Sequence, residues 1–135
     1  MSATDLAYAA GIFDGEGSVG IKVHQGVHGP IHSPYATVSQ TRPQVLHWLV
    51  ERFGGSLRFN KSGGKYGIWT WWLSARLAIN FLKEIQPYSI VKREEIRITL
   101  KAFESVTPNR KLGVPLDIRQ LREERRLRLK EIRRA

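Results

Sequence analysis

The sequence predicts an α+β domain in which helices cover one face of a single antiparallel sheet of four strands. Two strand pairs separated by turn-forming residues lead to this reading, each followed by a helical apolar pattern, and so does a further helix ahead of the first pair. A chain of 135 residues suits one compact unit with a substantial core.

The first helix is expected to be capped by Thr4, with Asp5 in its acidic first turn. Leu6, Ala9, Ala10 and Phe13 recur at helical spacing, and the glycines from Gly15 onward should stop it. Alternation follows in "SVGIKVHQ", with Val19, Ile21 and Val23 on one face and Ser18, Gly20, Lys22 and His24 on the other. "GVHGPIHSP" reads as a loop from its Gly and Pro content. "YATVSQ" is a second strand with Ala36 and Val38 inward and Tyr35, Thr37 and Ser39 outward.

A second helix begins after Thr41 with Pro43 near its first turn. Its apolar stripe is Val45, Leu46, Leu49, Val50 and Phe53, and Gly54 and Gly55 end it. "SLRFN" and "YGIWTWWL" flank the loop "KSGGK" as a second hairpin, with Trp69 and Trp71 in the core and Trp72 left to either face. A third helix capped by Ser74 carries Leu77, Phe81, Leu82 and Ile85 and closes at Pro87. A fourth is expected from Val91 to Ser105, and a fifth from Asp117 to the C-terminus.

The formal net charge of +10 makes acidic polymers the first partners to consider. With no cysteine there can be neither a disulfide framework nor a thiolate metal site. The first residues lack the basic start and apolar run of a signal peptide, and no apolar stretch approaches membrane-spanning length. These features lead to the expectation of an intracellular protein, cytoplasmic or organellar, with no membrane partner.

The stretch "GIFDGEGSVG" concentrates glycines and acids beside two bulky apolar residues. Its Gly15, Gly17 and Gly20 spacing mimics a dinucleotide-binding turn, but that turn needs a strand before it and a helix after it, and the order here is reversed. It also fails as a calcium loop, because Val19 occupies the position that requires glycine. Ala7, Gly11 and Gly15 instead form a small-residue stripe that lets another backbone come close. Glu16 stands at a helix end already rich in carbonyl oxygen, where a carboxylate is unfavourable unless a cation offsets it. Such oxygen donors suit Mg²⁺ or Ca²⁺.

"AAGIFDGEG", residues 9 to 17, resembles the motif of LAGLIDADG homing endonucleases, and a single copy points to the homodimeric subclass. The similarity extends over most of residues 5 to 105, through "VSQTRPQVLHWLVERFGG" and "GIWTWWLSARLAINFLKEIQPYSIVKREEI". It implies the αββαββα fold of that family, with a saddle-shaped sheet on the DNA major groove and the motif helices paired at a dimer axis. Ala7, Ala10, Gly11 and Asp14 would form that dimer interface. Glu16 matches the motif's final acid, the catalytic metal ligand, helped by the Gly15 carbonyl. Here it is Glu rather than the commoner Asp, while Ala9 replaces Leu and Phe13 replaces Ile. Asp14 matches the first acid, read as capping or turn-fixing.

Gln40 matches the polar strand-end residue that orders water near the scissile phosphate, and Lys92 the lysine that stabilises charge there. Arg42 or Arg58 would supply the further basic residue. The implied activity is Mg²⁺-dependent, site-specific cleavage of double-stranded DNA in intron homing, with Ca²⁺ binding without supporting cleavage. The DNA-reading residues are expected among outward positions: Lys22, His24, Ser33, Tyr35, Thr37, Arg58, Asn60 and Thr70, with Arg42 beside them. His24, His28 and His32 on the first hairpin are candidates for DNA contact, and His47 is read as structural.

The endonuclease core is expected over residues 1–107 and a basic helical extension over 108–135. In that extension a solvated helix with pairs such as Glu124–Arg128 competes with phosphate contact. The alternative function is a nucleic-acid-binding derivative that does not cleave, an intron maturase or a transcription regulator. Retention of Glu16, Gln40 and Lys92 favours the enzyme.

Overall fold

The computed structural model describes residues 1–104 and 114–134. Helix α1 (Ala3–Glu16) is followed by strands β1 (Gly17–Gly26) and β2 (Gly29–Gln40), then helix α2 (Gln44–Phe53). Strands β3 (Ser56–Asn60) and β4 (Ile68–Ser74) lead into α3 (Ala75–Ile85), a 3-10 turn (Gln86–Tyr88), α4 (Arg93–Ala102) and α5 (Leu116–Arg134). The four strands form one sheet in the order β1-β2-β4-β3, every neighbouring pair antiparallel. This is the predicted α+β architecture.

Helix α1 is capped by Ser2 rather than by Thr4. The Ser2 backbone is extended and its hydroxyl accepts the Asp5 N–H at 3.1 Å, so Thr4 already lies inside the first turn. The helix also runs through Gly15 to Glu16, one residue past the expected stop. It ends where Gly17 donates its N–H to the Phe13 carbonyl. Only glycine fits at that point, because a Cβ on Gly17 would lie 2.4 Å from the Phe13 ring.

The stretch expected to be a loop between β1 and β2 is mostly strand. Gly26 pairs with Gly29, and only Val27 and His28 make the turn. Pro30 and Pro34 are tolerated inside β2 because that strand meets β4 only from Tyr35 onward, which leaves a free edge where no N–H is needed.

One face of the sheet carries Val19, Ile21, Ala36, Val38, Trp71 and Leu73, and it packs under the helices with Phe13, Leu46, Leu49, Phe81, Leu82, Ile85 and Ile96. Trp71 is fully buried and donates its indole N–H to the Gly54 carbonyl at 2.8 Å. Trp69 packs against the same core, as predicted, while Trp72 takes the opposite face and stacks on Tyr35. In α3, Leu77 is 47% exposed and Ala78 holds the inward position, since Ala78, Phe81, Leu82 and Ile85 are the true one-face series.

Helix α4 starts at Arg93, not at Val91, and ends at Ala102; Ser105 lies outside the described residues. Helix α5 is no freely solvated extension. Its Leu129 is buried against Ile21, Ile98 and Ala102. Arg122 lies over the Phe103 ring and donates to the Ala102 carbonyl. Its ion pairs are Glu123–Arg126 and Arg128–Glu131, three residues apart, in place of the expected Glu124–Arg128. The expected division at residue 107 falls outside the described residues. Among the described residues no helix is long and apolar enough to cross a membrane.

Candidate metal centre and nucleic-acid interface

The C-terminal end of α1 places Gly15 and Glu16 at the surface, both exposed. Two residues earlier, the Asp14 carboxylate turns back into the fold and caps the start of α4. It accepts from the Ser89 hydroxyl (2.6 Å), the Ile90 N–H (2.7 Å) and the Lys92 N–H (3.1 Å). Burial by itself would raise this carboxyl's pKa; the hydrogen bonds from Ser89, Ile90, Lys92 and Val91 together hold it below the usual value. Lys92 in turn donates its ammonium to the Asp14 carbonyl at 3.1 Å. Lys92 is thereby held at the end of α1 that carries Glu16.

Gln40 reaches the same place by register. Val38 pairs with Gly17, so Gln40, two residues further along β2, lies beside the α1–β1 junction. It shares the core-side parity of Ala36 and Val38 and is half-buried. Arg42 is exposed in the loop after β2, where it lines a small cleft with Thr41 and Tyr66. Arg58 lies elsewhere, on the open face of the sheet opposite Thr70.

The stripe Ala7, Gly11 and Gly15 is exposed along α1. A Cβ added at Gly11 or Gly15 would meet nothing within 4 Å, so the fold of the single chain requires neither glycine. Ala10, expected on the same interface, is fully buried in the chain's own core, because it falls on the inward stripe with Ala9 and Phe13. Asp14 is occupied at α4. Ile90 and Val91, strongly exposed, stand next to that cap.

Strand register puts Lys22, His24, Ser33, Tyr35, Thr37, Arg58, Asn60 and Thr70 on one face, the open one. His32 does not belong there. It is buried on the core side, and its Nε2 bonds Glu123 of α5 at 2.9 Å. Parity alone separated it from His24 only once the supposed loop proved to be strand. His28 sits in the turn, its carbonyl accepting from Arg119, and His47 rests near the Trp69 ring. The open face also carries Trp72, and Arg133 reaches it over the Tyr35 ring; neither was among the residues expected there. Trp72 was signalled by its even spacing from Thr70, whereas Arg133 arrives from α5 by tertiary packing alone and bonds the Val19 carbonyl.

The sheet and helices align with several solved structures. The homing endonuclease I-CvuI, in complex with the I-CreI target in 2 mM Mg with the DNA not cleaved, gives a TM-score of 0.71 at 18% identity, over 92% of this chain and 81% of that one. The archaeal intron-encoded homing endonuclease I-Vdi141I, complexed with DNA, gives 0.61 at 18% identity, over 92% and 98%. The LAGLIDADG homing endonuclease I-GzeII, in complex with its DNA target, gives 0.60 at 14% identity, over 73% of this chain and 35% of that one. This chain thus matches about a third of I-GzeII. No family model and no curated protein matches the sequence. The chain has the fold of the LAGLIDADG homing endonucleases, and at these identities the likeness is one of fold.

Proposed function

We propose that this protein is a homodimeric, divalent-metal-dependent, site-specific DNA endonuclease that hydrolyses phosphodiesters in duplex DNA at a long pseudo-palindromic site. The observation that carries the reading is the exposed Glu16 at the end of α1, the helix end to which the Lys92 ammonium is fixed through the Asp14 carbonyl. That pair lies at the edge of a sheet whose other face is lined by polar and cationic side chains.

The residues present fit a hard cation. Glu16 and the carbonyls of the last turn of α1, Gly15 among them, are oxygen donors, the set that Mg²⁺ and Ca²⁺ prefer over softer metals. Among the described residues no three His, Cys, Asp or Glu side chains cluster as metal ligands, and with Asp14 engaged at α4 the end of α1 offers the Glu16 carboxylate. A second copy docked along Ala7, Gly11 and Gly15 would bring two Glu16 carboxylates together. Two exposed glycines in a helix cost about 1 kcal/mol each relative to alanine. Among the described residues nothing approaches either glycine closely enough to offset that cost, and close contact with the same helix of a second copy would.

A bound divalent cation supplies Lewis-acid stabilisation of the phosphoryl oxygens and a more acidic water. The chain's own groups do the remainder. Glu16 carries the negative charge that holds the cation. Lys92 presents a fixed positive charge to the phosphate, worth most in a site from which DNA excludes water. Gln40, with a donor and an acceptor, orients the attacking water.

Incubation of the protein with a randomised duplex library in Mg²⁺, against a parallel arm in Ca²⁺, tests the reading. Cut products with one recurring site in Mg²⁺ and intact bound duplex in Ca²⁺ are expected, and Glu16→Gln should bind the same site without cutting it. Site-specific binding with no cleavage in Mg²⁺ would instead identify a regulator or maturase on this scaffold.

A further inference from the structure

The open face of the sheet holds a cleft of about 450 Å³ lined by Lys22, Arg58, Asn60, Thr70 and Trp72. Its hydrogen-bonding groups are nearly all donors. Lys22 and Arg58 carry no acceptor at all. The Thr70 hydroxyl is engaged with that of Ser39 at 2.9 Å.

Asn60 decides the polarity. A free asparagine presents an acceptor and a donor side by side, the pattern that pairs with adenine. Here its Oδ1 accepts both the Ser62 backbone N–H at 3.0 Å and the Ser62 hydroxyl at 2.7 Å. A backbone N–H can only donate, so the atom facing it must be the amide oxygen, and both its lone pairs are taken. Only the NH₂ group of Asn60 remains available.

The cations of the cleft are also held in advance. The Lys22 ammonium lies 4.7 Å from the Trp72 ring centroid, its arm crossing β2 to reach β4. Trp72 stacks on Tyr35 at 5.5 Å with the planes 8° apart, and the Arg133 guanidinium lies 5.9 Å from the Tyr35 centroid. This row of cation, aromatic, aromatic and cation limits how far Lys22 can retreat from the cleft.

We infer that the Lys22–Arg58–Asn60 cleft reads guanine in the major groove. Guanine alone offers two adjacent acceptors there, N7 and O6. Adenine and cytosine would each set an amino donor against the donors of the cleft, and thymine has one acceptor beside a methyl group. The inference rests on the proposal that this face meets duplex DNA, and it goes beyond it by assigning a base and by giving Trp72 the role of positioning Lys22.

Randomised duplexes selected by binding in Ca²⁺ to the wild type, Arg58→Ala and Asn60→Asp provide the test. Positions whose preference vanishes with Arg58→Ala should be guanine in the wild-type selection. Asn60→Asp keeps the acceptor for Ser62 but now offers an acceptor to the base, so its position should turn from guanine to cytosine. Replacing only the guanines at the Arg58-dependent positions by 7-deazaguanine should weaken wild-type binding about tenfold and leave Arg58→Ala unaffected. Trp72→Leu should reduce the preference that Lys22 confers while the melting temperature stays within a few degrees. Adenine or cytosine at the Arg58-dependent positions, or indifference to 7-deazaguanine, overturns the assignment while DNA recognition stands. Failure of the wild type to enrich any duplex overturns DNA recognition itself, and the assignment with it.

Discussion

Asp14 and Lys92 hold each other twice. The Asp14 carboxylate accepts the Lys92 backbone N–H, and the Lys92 ammonium donates to the Asp14 carbonyl, both at 3.1 Å. The link joins the end of α1 to the start of α4, and it places the lysine relative to Glu16 through the backbone as well as the side chain.

Asp14→Asn should therefore act on the chemistry without acting on DNA binding. One of its two oxygens becomes a donor and faces the Ser89 hydroxyl or the backbone N–H groups it now accepts from. The expected outcome is cleavage slowed about 10- to 100-fold, the scale of a misplacement near 1 Å, with DNA affinity within a few-fold of wild type. Single-turnover cleavage alongside a binding titration separates the two, and unchanged cleavage would remove Asp14 from its positioning role.

Gly11→Leu should convert the proposed dimer to a monomer. The side chain meets open space in the single chain, so the folded circular-dichroism spectrum should be kept, while sedimentation shows half the mass and the melting temperature loses its dependence on protein concentration. An unaltered dimer would refute contact along this stripe.

Glu123→Gln should loosen α5. Hydrogen bonds from Arg126 first, and then His32, hold the Glu123 carboxyl at about 2, well below its ordinary 4.5. A depressed carboxyl contributes stability above its unfolded pKa and loses it as pH falls through the folded one. The pair therefore acts fully above about pH 4.5 and fades toward pH 2. Because the group is partly exposed, solvent reduces the effect to the scale of a surface pair. A melting temperature lower by about 3 °C at pH 7, with the difference closing near pH 2, is expected in thermal melts across that range.

Trp71→Phe tests the centre of the core. The change removes part of a fully buried ring and leaves the Gly54 carbonyl without its 2.8 Å partner. A loss of about 2–4 kcal/mol in denaturant unfolding is expected, with the fold retained.

Much of this molecule was legible in the chain itself. The order of helices and strands follows from apolar periodicity, which is local, and the face assignment of Lys22, Tyr35, Thr37, Arg58 and Thr70 follows from the strict alternation of a strand. The exposed glycines of α1 and the acid at its end are likewise local signals, since each breaks a rule of helix composition where it stands. What failed was local reading where two signals conflict. Pro30 and Pro34 argued for a loop, and only the free edge of β2 beyond β4 made room for them as strand residues.

The sequence by itself determined the fold class, the core stripes and the placing of Glu16 at a helix end, because backbone periodicity and side-chain polarity act between neighbours. Tertiary structure alone decided that His32 turns inward to Glu123, that Asp14 ties Lys92 to α1, and that Asn60 keeps only its donors in the cleft beside Lys22 and Arg58. The first two depend on contacts between residues far apart along the chain, and the Asn60 result on the geometry of one particular turn. No pattern of neighbouring residue types specifies where such groups will meet.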